Sequence, residues 1–122
     1  VPASTPSEAA QALEAAGVQE VLLTFANRGS AIQSGGTYTE LTAVRPHEVV
    51  DTTGCGDTFV AGYIFGRLRG RSPMDSAKFA SGAASLKVAA FGPFVGREED
   101  VLRHLEEASS DLLDQGELDA DA

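Results

Sequence analysis

Asp51-Thr52-Thr53-Gly54-Cys55-Gly56-Asp57-Thr58-Phe59-Val60 is the stretch on which the reading of this chain turns. Two glycines precede a change of period: Phe59, Val60, Tyr63, Ile64 and Leu68 recur at helical steps, so a helix is expected from Asp57 to about Leu68, ending near Gly70. Glycine permits backbone angles and close approach that other residues forbid. The first amides of a helix lack internal partners and lie at the positive end of its dipole, so such a turn directs several N–H groups at one anionic oxygen. A phosphoryl group in transfer is the natural occupant, because its developing charge is stabilised by preorganised donors. Asp57, at the mouth of the turn, is placed to accept the proton of an attacking hydroxyl. An aspartate there is equally suited to capping the helix, and Gly-x-Gly spacing alone does not separate the two roles.

Upstream, Ser7 to Ala16 reads as a helix with Ser7 as N-cap, Ala9, Ala12, Leu13 and Ala16 as its apolar stripe, and Gly17 as its stop. Val21-Leu22-Leu23-Thr24-Phe25 is a short apolar run of the kind found in sheets covered on both faces. After the polar turn Ala26-Asn27-Arg28-Gly29, strands near Ser30 to Ser34 and Thr37 to Val44 flank Gly35-Gly36, a hairpin signal. Glu48-Val49-Val50 is a short apolar approach to the decisive stretch. Downstream, Ser72-Pro73 opens a helix from about Met74 to Ala90, where Ala77, Ala80, Ala83, Ala84 and Ser85 allow close approach of neighbours. Gly92-Pro93 stops it. Glu98 to about Leu113 is amphipathic through Val101, Leu102, Leu105 and Leu112.

The chain has 122 residues, of which 43% are hydrophobic, and this fits one domain with a sizeable core. No apolar run approaches the ~20 residues that cross a bilayer. The first residues, VPASTPSEAAQALEAAG, carry no basic segment followed by an apolar one, and a single cysteine makes no internal disulfide, so a cytoplasmic location is expected. The net charge of -9 is concentrated at one end, since ten of the 18 acids fall within residues 97–122. Residues 109–122 read as an acidic, disordered tail. A salt-rich habitat is a second source of such acidity. Nucleic acid needs a basic face that this chain lacks.

Beyond its generic spacing, Asp51-Thr52-Thr53-Gly54-Cys55-Gly56-Asp57, continued by Thr58-Phe59-Val60-Ala61-Gly62, resembles the C-terminal signature of the ribokinase-like, or PfkB, carbohydrate kinases, Asp-Thr-x-Gly-Ala-Gly-Asp followed by a helix. The resemblance runs in the proper order from about residue 10 to 105. It implies an α/β fold, the C-terminal portion of a Rossmann-like three-layer α/β/α architecture, with residues 1–108 as a partial kinase domain. It further implies ATP-dependent phosphoryl transfer to a hydroxyl of a sugar or nucleoside. In that scheme Asp57 is the catalytic base, and the amides of Gly54, Cys55 and Gly56 form the anion hole.

The resemblance also assigns Thr24, Ala26, Asn27 and Gly29 to the loop that contacts the phosphates of ATP, and it brings Ser81 near the adenine. Asp51, the carbonyl of Thr53 and groups near Gly92 are implied to hold a monovalent cation such as K+; hydrogen bonding of Asp51 to loop amides is the matching alternative. Mg2+ is expected to arrive with the nucleotide, held mainly by phosphate oxygens and water. A homodimer of the full-length parent is an option the family allows. Ala26 stands where the family has glycine, and Cys55 where it has alanine. Near a helix N-terminus Cys55 is either a reactive thiol or, the favoured reading, a small buried filler. His47 and His104 read as surface histidines without partners at ligand spacing. Arg67, Arg69 and Arg71 suit the negative end of a helix dipole better than a phosphate clamp.

The family's sugar-recognising residues, its lid and an Asn-x-x-Glu motif lie N-terminal to the part represented here, so a chain starting at Val1 is expected to be a fragment with little turnover of its own. A non-catalytic nucleotide-binding or regulatory module is the alternative from another class. An aspartic protease is disfavoured because Thr53 breaks the Asp-Thr-Gly turn. A Rossmann dehydrogenase lacks its third glycine here, and no Gly-Lys-Ser/Thr of a P-loop occurs.

Overall fold

In a computed structural model, which describes residues 5–25, 28–90, 92 and 94–108, the first helix, α1, spans Pro6–Ala15. Thr5, rather than Ser7, caps it: its hydroxyl accepts from the Glu8 amide at 3.1 Å, and Pro6 takes the first position, where a missing N–H costs nothing. The packed face differs from the expected stripe as well. Leu13 is 47% exposed, and Ala10 is the buried residue. Glu14 holds this face down, its Oε1 accepting from Gln33 Nε2 at 3.1 Å and from the Gly36 amide at 3.0 Å.

Three antiparallel strands follow, β1 (Glu20–Thr24), β2 (Ser30–Ser34) and β3 (Thr37–Leu41), hydrogen-bonded in the order β1-β2-β3. Gly35 and Gly36, with φ of 59° and 80°, turn β2 into β3 through the left-handed angles that a two-residue hairpin needs. β2 is the central strand of the described sheet, buried from Ser30 to Gln33. β1, expected to be covered on both faces, is an outer strand of the described sheet with Val21 as its buried residue. β3 ends at Leu41, three residues before the expected Val44, because Leu41 already pairs with Ser30, the first residue of β2. The stretch Glu48-Val49-Val50 forms no strand, and Val49 is 68% exposed.

Successive strand residues point to opposite faces. Val21 pairs with Gln33, whose side chain reaches α1, so its neighbour Glu20 faces the other way. Glu20 meets Tyr63 and Arg67 on the second helix, α2 (Cys55–Leu68). Arg67 Nε and Nη2 grip its two oxygens at 2.9 and 3.1 Å, and the Tyr63 hydroxyl donates to it as well. Helices therefore cover both faces of the sheet, giving the α/β/α layering.

α2 begins two residues earlier than expected; of its expected apolar positions Phe59 is buried, together with Gly62 and Gly66, whereas Val60, Ile64 and Leu68 are exposed. The reason is α3 (Pro73–Val88), which lies antiparallel against the glycines: a Cβ on Gly62 would sit 3.0 Å from Ala80 Cα, and one on Gly66 would sit 3.0 Å from Ser76 Cα. Ser72 caps α3 by accepting the Asp75 amide at 3.1 Å. A fourth helix, α4, covers 98–108, and its Val101 joins Phe79 and Ala83 in the core. Arg71 and Arg69 close this end by donating to Glu98 at 2.6 and 3.2 Å, so all three arginines of the segment 67–71 are engaged by carboxylates. His104 departs from its expected surface position and is buried against α3 at 4% exposure. Leu112, Leu113 and the expected tail 109–122 lie outside the described residues. No described helix is long and apolar enough to cross a membrane.

Candidate active site

The decisive stretch is held at its start by the end of α3. The Val88 carbonyl accepts from the amides of Val50 at 2.8 Å and Asp51 at 3.0 Å, which satisfies an orphan carbonyl and fixes the origin of the turn. Asp51 then folds back on itself, its Oδ1 accepting from the Thr53 amide at 2.9 Å. This hydrogen bond, with help from Lys87, holds the Asp51 carboxyl below its ordinary value. It is also the second of the two roles weighed for Asp51, the bonding of loop amides.

Gly54 caps α2 in the left-handed region, φ 79° and ψ 4°, with no side-chain cap hydrogen bond. Thr58 closes the first turn, donating to the Gly54 carbonyl through both its amide and its hydroxyl at 3.0 Å. The Cys55 amide makes a long bond of 3.3 Å to the Thr52 carbonyl. The amides of Gly56 and Asp57 have no acceptor among the described residues and point from the positive end of α2. Gly56 is exposed, and a Cβ built there would meet nothing within 4 Å, so the side-chain position beside these donors is open.

Asp57 is exposed at the same helix start and makes no hydrogen bond or ion pair among the described residues. Capping of α2 by its side chain is therefore absent. Cys55 is half-buried, and burial pushes its thiol up, away from the thiolate, which suits a filler rather than a nucleophile.

Sequence reasoning missed Lys87. It lies on α3 in an alanine-rich run, where a lysine looks like any solvated helix position, yet it is 3% exposed. Its Cε would be 4.0 Å from a Cβ on Gly54, and its Nζ donates to the Ala90 carbonyl at 3.4 Å. Lys87 thus stands beside the turn, close enough to act on Asp51 and Cys55. No sequence pattern signalled this, because burial of α3 depends on α2 and α4 packing around it.

The other expected site residues fall elsewhere. Thr24 is exposed at the end of β1; Gly29, φ 110°, begins the return into β2 as the Phe25 amide donates to its carbonyl at 2.9 Å. Phe25 and Arg28 of this loop line a cleft of about 330 Å³ that continues along Glu40 and Leu41. Ala26 and Asn27 lie outside the described residues. Ser81 is half-buried on α3, its hydroxyl accepting from the Val44 amide at 3.3 Å. Gly92 is exposed with φ 80°. A second cleft, about 460 Å³, passes Lys87 and runs between Phe94 and α4. Asp57 lines neither cleft.

Comparison with known proteins gives this geometry a context. Residues 2–99 match the family model described as pfkB family carbohydrate kinase. Ribokinase of Arabidopsis thaliana is 37% identical over 92 residues, covering 73% of this chain and 24% of the relative. Its structure, complexed with ribose and ATP, superposes with a TM-score of 0.73 over 85% of this chain and 35% of that one, at 34% identity. A putative ribokinase II from E. coli, in complex with ATP and Mg2+, reaches a TM-score of 0.79 at 28% identity, over 87% of this chain and 35% of that one. The Burkholderia thailandensis nucleoside kinase bound to inosine gives 0.72 at 28% identity, over 85% of this chain and 34% of that one. The chain thus spans about a quarter of the length of its curated relatives and about a third of the solved ones. With a family model matching residues 2–99, most of its length, the chain belongs to the pfkB family of carbohydrate kinases.

Proposed function

We propose that this chain supplies the phosphate-binding and proton-accepting part of an ATP-dependent kinase that phosphorylates a hydroxyl of a sugar or nucleoside. The observation that carries the reading is the pair of unpartnered amides, Gly56 and Asp57, at the exposed start of α2, with an uncommitted Asp57 carboxylate beside them and no side chain at Gly56 to cover them. The acceptor hydroxyl gives its proton to Asp57 as its oxygen bonds to the γ-phosphorus, and the bond to the β-phosphate oxygen breaks to release ADP. The amides hold the charge that builds on the transferred group, and Lys87 beside the turn adds a positive field. The Cys55 amide, already bonded to Thr52, contributes less than its neighbours.

The loop of Thr24, Ala26, Asn27 and Gly29 flanks the nucleotide in this reading, and Ser81 is assigned to the adenine side. The donor set of bare amides fits phosphate oxygens, to which Mg2+ supplies charge neutralisation when bound with the nucleotide. Asp51, with one carboxylate oxygen on the Thr53 amide, has the other available for K+ alongside the Thr53 carbonyl and the Gly92 region. In the enzyme carrying this chain, Asp57→Asn is expected to lower kcat by a factor of order 10² or more while the KM for ATP stays within about threefold. Steady-state kinetics over a panel of sugars and nucleosides reads both; near-normal turnover in the variant removes Asp57 from the chemistry.

A further inference from the structure

His47 and His104 are 57 positions apart in a chain that shows no ligand spacing between them, yet their ring centroids stand 4.9 Å apart. His104 is buried on α4 with its Nε2 2.8 Å from Ser85 Oγ on α3, and its Nδ1 is buried with no hydrogen-bond partner among the described residues. Buried polar atoms are nearly always satisfied, so this nitrogen marks a position built for something else. One helical turn further along α4, Glu107 brings a carboxylate to the same place. His47 Nε2 lies 3.5 Å from Glu107 Oε2, and one ligand atom from each of His47, His104 and Glu107 lies within 4.8 Å of the others. All three line the cleft of about 460 Å³, and this gives a cation its way in.

We propose that His47, His104 and Glu107 form a binding site for a divalent transition cation of the zinc class, with two imidazole nitrogens, one carboxylate oxygen and a fourth position left to water. When Ser85 Oγ accepts the Nε2 proton, the unpartnered Nδ1 of His104 keeps its lone pair for a metal, and the outer hydrogen bond orients the ring as metal-ligating histidines require. Two imidazoles select against Mg2+, a hard ion that prefers oxygen ligands, so this cation is distinct from the one travelling with a nucleotide. Ligands about 2.1 Å from a tetrahedral ion stand about 3.4 Å apart. His47, exposed on the segment between β3 and the signature turn, moves inward to close that gap. The bound ion ties this segment, four residues ahead of Asp51, to α4. The inference stands independently of the kinase reading.

Calorimetric titration of the 122-residue chain with Zn2+, and of the same chain with Co2+ followed by visible absorption, tests it. One Zn2+ per chain and an intense Co2+ band of a four-coordinate ion are expected. His47→Ala and Glu107→Gln, both at exposed positions, are each expected to weaken the affinity at least tenfold with unchanged far-UV circular dichroism. Absence of Zn2+ uptake, or uptake at full affinity in both variants, overturns the site. So does uptake lost in Cys55→Ala and kept in His47→Ala, which moves the ion to the thiol.

Discussion

The turns at Gly29 and Gly54 share a residue type and a left-handed backbone, with φ of 110° and 79°, but they differ in what surrounds them. A Cβ on Gly29 would lie 2.1 Å from the Leu41 carbonyl oxygen and 3.0 Å from the Ala43 amide nitrogen, so the strand beside it leaves room for hydrogen alone. At Gly54 the nearest atom is Lys87 Cε at 4.0 Å, and at Gly56 nothing lies within 4 Å. The first glycine is required by the fold. The second pair keeps a space clear outside the fold, beside amides that nothing in the described chain uses. Gly62 and Gly66 belong with Gly29, because α3 fills the place of their side chains. The same residue type therefore marks close packing in one region and unfilled space in another, and only the neighbours tell them apart.

The contrast is sharpest under substitution. Gly29→Ala combines an unfavourable positive φ with a backbone clash, together about 3 kcal/mol of lost stability, read as a lower urea midpoint at unchanged m-value. A loss under about 1 kcal/mol means that β3 gives way and the distinction fails. At Gly56 a Cβ meets no neighbouring atom within 4 Å, so in Gly56→Val stability is expected to stay within about 0.5 kcal/mol while nucleotide affinity falls about tenfold, or about 1.4 kcal/mol. Unchanged ATP affinity in that variant refutes the anion-binding geometry.

The smallest effect concerns Glu20, whose carboxyl is held below its ordinary 4.5 first by the hydrogen bond from Arg67 and then by that from Tyr63. A depressed carboxyl contributes stability above its unfolded value and loses it as pH falls through the lower folded value. Between pH 7 and pH 3 the chain is expected to lose up to about 1 kcal/mol more stability than Glu20→Gln, a modest figure because the pair is partly exposed. Parallel losses in the two proteins reduce the bridge from the sheet to α2 to a surface contact.

Much of the architecture was readable from local pattern. The Gly35-Gly36 hairpin, the alanine-rich α3 and the helix after the signature are all where residue spacing puts them, within two or three residues at their ends. These features depend on backbone angles and periods that a few neighbouring residues set. The errors concern faces. Val60, Ile64 and Leu68 have the spacing of a buried stripe and are exposed, because α3 approaches α2 along its glycines. Leu13 lost its expected place to Ala10 and Glu14 once Gln33 and the Gly36 amide offered hydrogen bonds. His104, polar and central in an amphipathic helix, is buried because its Nε2 pairs with Ser85 Oγ at 2.8 Å.

The sequence by itself determined the family, the order of elements and the glycine-bearing turn with its aspartate, since all of these are written in consecutive residues. Which side chains that scaffold brings together was decided by the tertiary structure alone. Lys87 next to the turn, and His47 beside His104 and Glu107, depend on segments that meet only after α3 has packed between its neighbours, and no spacing along the chain encodes a contact of that kind.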